Sequence, residues 1–109
     1  MDFELFNTYS NKTELFIPLD DNDIRIYACG PTVYDYIHVG NARPLIIFDV
    51  LVRFLKLIYP KVTYVRNITD VDDKIIVQAN QNKESINNLT ERTIKAFSDD
   101  ADALFVKKP

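Results

Sequence analysis

Residues 41–59 form a nineteen-residue stretch without glycine in which Leu45, Ile46, Ile47, Phe48, Val50, Leu51, Val52, Phe54, Leu55, Leu57 and Ile58 occupy nearly every helical face. Strands rarely exceed about 10 residues, so a run of this length with no turn predicts a helix, and apolar cover on all sides predicts one packed centrally. Pro60 ends it. Pro44 is tolerable because it falls in the first turn, where a missing N–H has no helical partner to lose. The most apolar part, residues 44–52, is shorter than the ~20 residues a membrane span requires, and Arg53 and Lys56 follow.

The flanking segments complete a unit. Ile24-Arg25-Ile26-Tyr27-Ala28 alternates only weakly and fits a strand covered on both faces. Residues 61–68 predict the next strand, with Val62, Tyr64 and Arg66 on one face. Strand, helix and strand make a right-handed crossover, the unit of an α/β fold with a parallel sheet. Upstream, residues 3–9 and 13–17 predict a short β-hairpin turning through Ser10-Asn11-Lys12, followed by the acidic loop Asp20-Asp21-Asn22-Asp23. The chain thus divides into a hairpin, 1–19, and an α/β part, 24–109. Downstream, Asp70 or Asp72 caps a helix reaching about Asn80, which Asn80-Gln81-Asn82-Lys83 breaks. Ser85 opens a last helix whose Leu89, Ile94, Phe97, Ala101, Leu104 and Phe105 form one stripe.

With 109 residues, 47% hydrophobic and 27% charged, the composition is that of one ordinary soluble domain burying roughly two-thirds of its unfolded surface. The 13 Lys and Arg are outnumbered by 16 Asp and Glu. Nucleic-acid binders present a basic face to phosphates, so any RNA partner is expected to bind mostly outside this segment. One cysteine allows no intrachain disulfide, and Met1-Asp2-Phe3-Glu4 lacks a basic, apolar leader, so a cytoplasmic location with no membrane association is expected. Without a secretory leader, the sequons at Asn11, Asn67 and Asn88 have no glycosylating compartment to enter.

Chemistry concentrates in one place. The only cysteine, Cys29, the only histidine, His38, and both glycines, Gly30 and Gly40, lie within twelve residues where the first strand of the crossover runs through a loop into the long helix. Helix-terminal N–H groups carry partial positive charge, and Gly40 lets a phosphate approach them. Ligands of α/β proteins gather at these carboxyl ends of strands. No G-x-x-x-x-G-K-S/T or G-x-G-x-x-G occurs, which excludes the common P-loop and dinucleotide readings. Asp70, Asp72 and Asp73 lack the glycine and distal glutamate of a calcium loop and read better as helix caps. Tyr27, Tyr34 and Tyr36 either stack on an adenine or pack with one wet end.

His38-Val39-Gly40-Asn41 resembles the His-Ile-Gly-His signature of class I aminoacyl-tRNA synthetases. Together with Cys29-Gly30-Pro31-Thr32-Val33-Tyr34-Asp35, Phe48-Asp49-Val50 and Tyr64-Val65-Arg66-Asn67-Ile68-Thr69-Asp70-Val71-Asp72-Asp73-Lys74, it is similar to the start of the cysteinyl-tRNA synthetase catalytic domain. The resemblance implies the first half of a Rossmann-like (HUP-type) parallel-sheet catalytic domain preceded by the hairpin. It also implies ATP-dependent activation of cysteine to cysteinyl-adenylate and its transfer to tRNA(Cys), with ATP entering as its Mg2+ complex.

Residue by residue, the same resemblance makes Cys29 one of four ligands to a zinc ion that selects a thiol over a hydroxyl. His38 and Asn41 become catalytic groups, and the run Pro31, Thr32, Val33, Tyr34, Asp35, Tyr36, Ile37, His38, Val39, Gly40 and Asn41 the ATP-binding segment. Gly30 and Thr69 face the substrate cysteine; for Thr69, capping the next helix is an equal alternative. Asn41 replaces the second histidine of the signature with a neutral amide, a change familiar among cysteinyl enzymes. The Lys-Met-Ser-Lys-Ser loop and the other zinc ligands are absent, so these 109 residues alone are expected to be inactive and to depend on the remainder of a synthetase chain. Two alternatives share part of the pattern: the ligase that joins cysteine to an amino sugar in mycothiol synthesis, and a non-catalytic nucleotide-binding half-domain.

Overall fold

The computed structural model describes residues 1–109. Seven elements follow one another: β1 (Glu4–Asn7), β2 (Lys12–Leu15), β3 (Ile24–Ala28), α1 (Val39–Ile58), β4 (Val62–Arg66), α2 (Asp73–Asn82) and α3 (Ile86–Ala103). β1 and β2 pair antiparallel as a hairpin shorter than its apolar pattern suggests, turning through Asn11 at φ 56°. An aromatic contact anchors it: Phe3 stacks on Phe16 at 4.9 Å and meets Phe54 of α1 edge-on at 5.0 Å.

β3 and β4 pair in parallel, Ile24 opposite Val62 and Ala28 opposite Arg66, with α1 as the connection between them. The chain is therefore α/β, with two small sheets and three helices. Beyond the strand ends an isolated parallel bridge joins Thr32 to Thr69. Its bonds run from Thr69 N–H to the Pro31 carbonyl at 3.0 Å and from Val33 N–H to the Thr69 carbonyl at 3.1 Å. Four steps of chain lead from Ala28 to Thr32 but three from Arg66 to Thr69, so the first strand accommodates one extra residue around Cys29 and Gly30.

α1 begins at Val39, two residues before the expected start, because His38 caps it. Pro44 consequently lies in the second turn, where its missing N–H does cost the Gly40 carbonyl a partner. Central packing is not what α1 shows. Leu45, Asp49, Val52 and Leu55 are buried along one face, while Ile46, Ile47, Val50 and Leu57 are exposed. β3 likewise buries Ile24 and Ala28 but exposes Arg25 and Tyr27, so it is covered on one face only. The reason is the same for both: no element of this chain packs on the opposite side.

Two apolar clusters lie on α3. Val33, Ile75, Ala79 and Leu89 form the first, and Leu45, Phe97, Ala101 and Val106 the second. The expected α3 stripe holds through Ala101, but Leu104 and Phe105 are exposed and Val106 is buried in their stead, because the helix ends at Ala103 and the backbone turns left-handed at Phe105, φ 61°. The tail that follows is tied to α1. The Arg53 guanidinium donates to Asp49 Oδ2 at 2.7 Å and to the Phe105 carbonyl at 2.8 Å, and Lys107 N–H donates to Asp49 Oδ1 at 3.0 Å. No helix is long and apolar enough to cross a membrane.

Candidate nucleotide and amino-acid site

The loop leaving β3 is fixed at both of its ends. Early on, the hydroxyl of Thr93 lies 2.8 Å from the Val33 carbonyl, and Val33 itself is 1% exposed in the α2–α3 cluster. At the far end, His38 and Asn41 form a reciprocal cap: His38 Nδ1 accepts from Gly40 N–H at 3.0 Å, and Asn41 Oδ1 accepts from His38 N–H at 2.9 Å. A backbone N–H only donates, so Nδ1 carries no proton, and the imidazole presents an Nε2–H donor outward. Asn41 spends its oxygen on the cap and keeps its Nδ2 hydrogens. A Cβ at Gly40 would sit 3.2 Å from His38 Nδ1, so this glycine makes room for the cap as well as for any incoming phosphate. No acidic residue occupies the first turn of α1, and its positive end stays uncompensated.

Beside this cap is a small cavity of about 90 Å³ lined by Cys29, Gly30 and Pro31 from the first loop, Gly40, Asn41, Pro44, Leu45 and Phe48 from α1, and Tyr64 and Arg66 from β4. It brings together the two halves of the expected site, Cys29-Gly30 and Gly40-Asn41. The Cys29 thiol is free and exposed. The Tyr64 hydroxyl and Arg66 Nη1 are buried without a hydrogen-bond partner, and the Arg66 guanidinium lies 5.4 Å from the centre of the Phe97 ring on α3. Both residues share one face of β4, the face that alternation marks, although the sequence does not assign them to the site.

Gly30 is constrained by Asn67. Its N–H donates to Asn67 Oδ1 at 2.6 Å, and a Cβ at position 30 would overlap the Asn67 backbone carbonyl. Asn67 is half-buried, and its amide oxygen is committed to this bond.

The remaining expected site residues are dispersed. Thr69 is set against Pro31 and Val33 by backbone bonds, and the cap of α2 is Asp72, whose carboxylate accepts from Lys74 N–H at 3.1 Å; neither Thr69 nor Asp70 caps that helix. Val33 cannot touch a ligand from its buried place, so its position in the signature is a packing role. Tyr34 lies against the same cluster with Lys74 Nζ 5.7 Å from its ring centre, which takes up a face that a base would need. Thr32 stands in the bridge, and Ile37 packs on the second cluster. Asp35, Tyr36, His38 and Val39 are solvent-exposed. Around Cys29 no group of three or more His, Cys, Asp or Glu converges; an exposed thiol suits zinc as one ligand, and the others would have to come from elsewhere.

Residues 15–109 match the family model described as the tRNA synthetases class I (C) catalytic domain, and the chain belongs to that family. Its similar relatives carry a more particular name. The chain is 53% identical over 105 residues to the Cysteine–tRNA ligase of Ehrlichia ruminantium (strain Gardel), an alignment that covers 96% of this chain and 23% of the relative. It is 52% identical over all 109 residues to the Cysteine–tRNA ligase of Rhodospirillum centenum, covering 24% of it, and 51% identical over 105 residues to that of Paraburkholderia xenovorans, covering 23%. The chain thus spans about a quarter of the length of the curated relatives it matches. Neither the amino-sugar ligase nor the non-catalytic half-domain is favoured by these matches.

Proposed function

We propose that this chain is the ATP- and cysteine-binding part of a cysteine–tRNA ligase, with residues 24–109 forming the first half of a Rossmann-like (HUP-type) catalytic domain and residues 1–19 its preceding hairpin. The observation that carries the reading is the convergence of Cys29-Gly30 and Gly40-Asn41 on one cavity at the carboxyl ends of two parallel strands. A carboxylate oxygen of cysteine attacks the α-phosphorus of ATP, the bond from that phosphorus to the bridging oxygen breaks, and pyrophosphate leaves. A ribose hydroxyl of the terminal adenosine of tRNA(Cys) then takes the cysteinyl group, and AMP is released. The reaction takes place in the cytoplasm.

The chain's own residues contribute placement and charge. His38 offers Nε2–H to a phosphate oxygen, Asn41 offers its amide hydrogens, and the uncompensated end of α1 favours the anion. Gly30 and Thr69 meet the amino acid, and Cys29 supplies one thiolate ligand to a zinc ion, which when bound recognises the substrate thiol and disfavours serine. Because a single ligand cannot hold that metal tightly, the 109 residues alone are inactive, and tRNA(Cys) binds chiefly through the remainder of the protein. The test is ATP–pyrophosphate exchange by the full-length protein. Exchange is expected with cysteine and to be at least about 100-fold weaker with serine. No exchange with cysteine, or equal exchange with serine, overturns the reading.

A further inference from the structure

The extra residue between the β3–β4 ladder and the Thr32–Thr69 bridge falls at Cys29-Gly30, where ladder pairing lapses. Asn67, on the opposite strand and 37 residues away in sequence, supplies what the ladder no longer does: its Oδ1 accepts the Gly30 N–H at 2.6 Å. Its backbone carbonyl fills the space that a side chain at Gly30 would need. One residue thus holds Gly30 through both side chain and main chain, and Gly30 and its neighbour Cys29 line the cavity shared with Gly40 and Asn41.

The geometry points to Asn67 as a positioning residue that, through Gly30, sets where the Cys29 sulfur and the Gly30 carbonyl stand relative to that cavity. Since Gly30 N–H is already taken, the Gly30 group left to meet a ligand is its carbonyl, an acceptor for the ammonium of an amino acid, next in sequence to the free Cys29 thiol. Asn67 acts on the cysteine side of the site and leaves the His38–Asn41 cap, on which ATP depends, untouched. This role rests on the proposed function.

The experiment uses the full-length protein with Asn67→Ala, which deletes the acceptor, and Asn67→Asp, which keeps one at the same reach. Amide exchange at Gly30 is followed together with the kinetics of ATP–pyrophosphate exchange. In Asn67→Ala, Gly30 exchange is expected to quicken and KM for cysteine to rise about 10-fold with KM for ATP within about twofold, and Asn67→Asp is expected to recover both to within about threefold. A parallel rise in both KM values, a fall in kcat alone, or no recovery by Asn67→Asp overturns the role. Should Asn67→Ala fail to fold, Asn67→Ser carries the same measurements and the same criteria. A wild type without cysteine-dependent exchange refutes the proposed function itself, whereas an active wild type whose variants show no KM split refutes only the role of Asn67.

Discussion

At the scale of single residues, the two glycines do different work. Gly40 leaves a gap that its own helix cap uses, whereas Gly30 is required outright by the Asn67 carbonyl. Replacing Gly30 with alanine forces backbone away from backbone at a bulge, and overpacking of this kind costs about 1–3 kcal/mol or more. Urea unfolding should therefore show Gly30→Ala less stable than wild type by at least about 2 kcal/mol; a loss under about 0.5 kcal/mol would mean that the corner yields freely. Cys29, Gly30, His38, Gly40 and Asn41 are legible in the sequence because rare residue types crowd into one loop. Asn67 is not, because a side-chain-to-backbone bond across 37 residues leaves no periodic trace, and its Asn-Ile-Thr context reads as a sequon. Tyr64 and Arg66 reveal only their shared face.

Among elements, α1 organises the molecule, since it carries the His38 cap at one end, the Phe3–Phe54 contact towards the other, and the Asp49–Arg53 pair between them. Burial pushes the Asp49 carboxyl up, but the Lys107 N–H, the Arg53 hydrogen bond and the nearby positive charges outweigh it and leave the group below its ordinary value. In the unfolded chain an aspartate titrates near about 3.9. A carboxyl with a depressed folded value contributes stability that is complete above the unfolded value and is lost as pH falls through the folded one. Urea midpoints should thus fall below about pH 4 in wild type, and Asp49→Asn should flatten that part of the profile; an identical acid slope in the variant would place the titration elsewhere. The type and order of the elements are legible throughout, from periodicity and from the caps at Asp72 and Ser85. The start of α1 and the reach of the hairpin are not, because a histidine cap and a turn beginning at Thr8 depend on bonds that composition does not advertise; the other end of α1, before Pro60, is legible.

The whole molecule is more open than its length predicts. Its surface is 7932 Å², against about 6,200 Å² for a compact monomer of 12.6 kDa, so less than the expected two-thirds of the unfolded surface is removed from water. Its radius of gyration is 16.8 Å, where about 13 Å is usual for this length. Exposed apolar side chains contribute to the excess surface, among them Ile46, Ile47, Val50 and Leu57 of α1, Tyr27 and Val65 of the parallel pair, and Phe6, Tyr9, Ile17 and Leu19 in and after the hairpin. An apolar helix reads as central from its sequence whether or not the segments that would surround it are present, which is why patterning gives the helix but not its exposure. The chain spans about a quarter of the length of the curated relatives it matches, and under the proposed function these surfaces are where the rest of such a ligase would pack. The most direct measurement is charging of tRNA(Cys) with labelled cysteine by the full-length protein, wild type beside His38→Ala. Wild type is predicted to charge the tRNA, and removal of the Nε2–H donor to slow charging by about 100-fold or more. A wild type that leaves tRNA(Cys) uncharged, or a His38→Ala variant that charges it at the wild-type rate, would contradict the account.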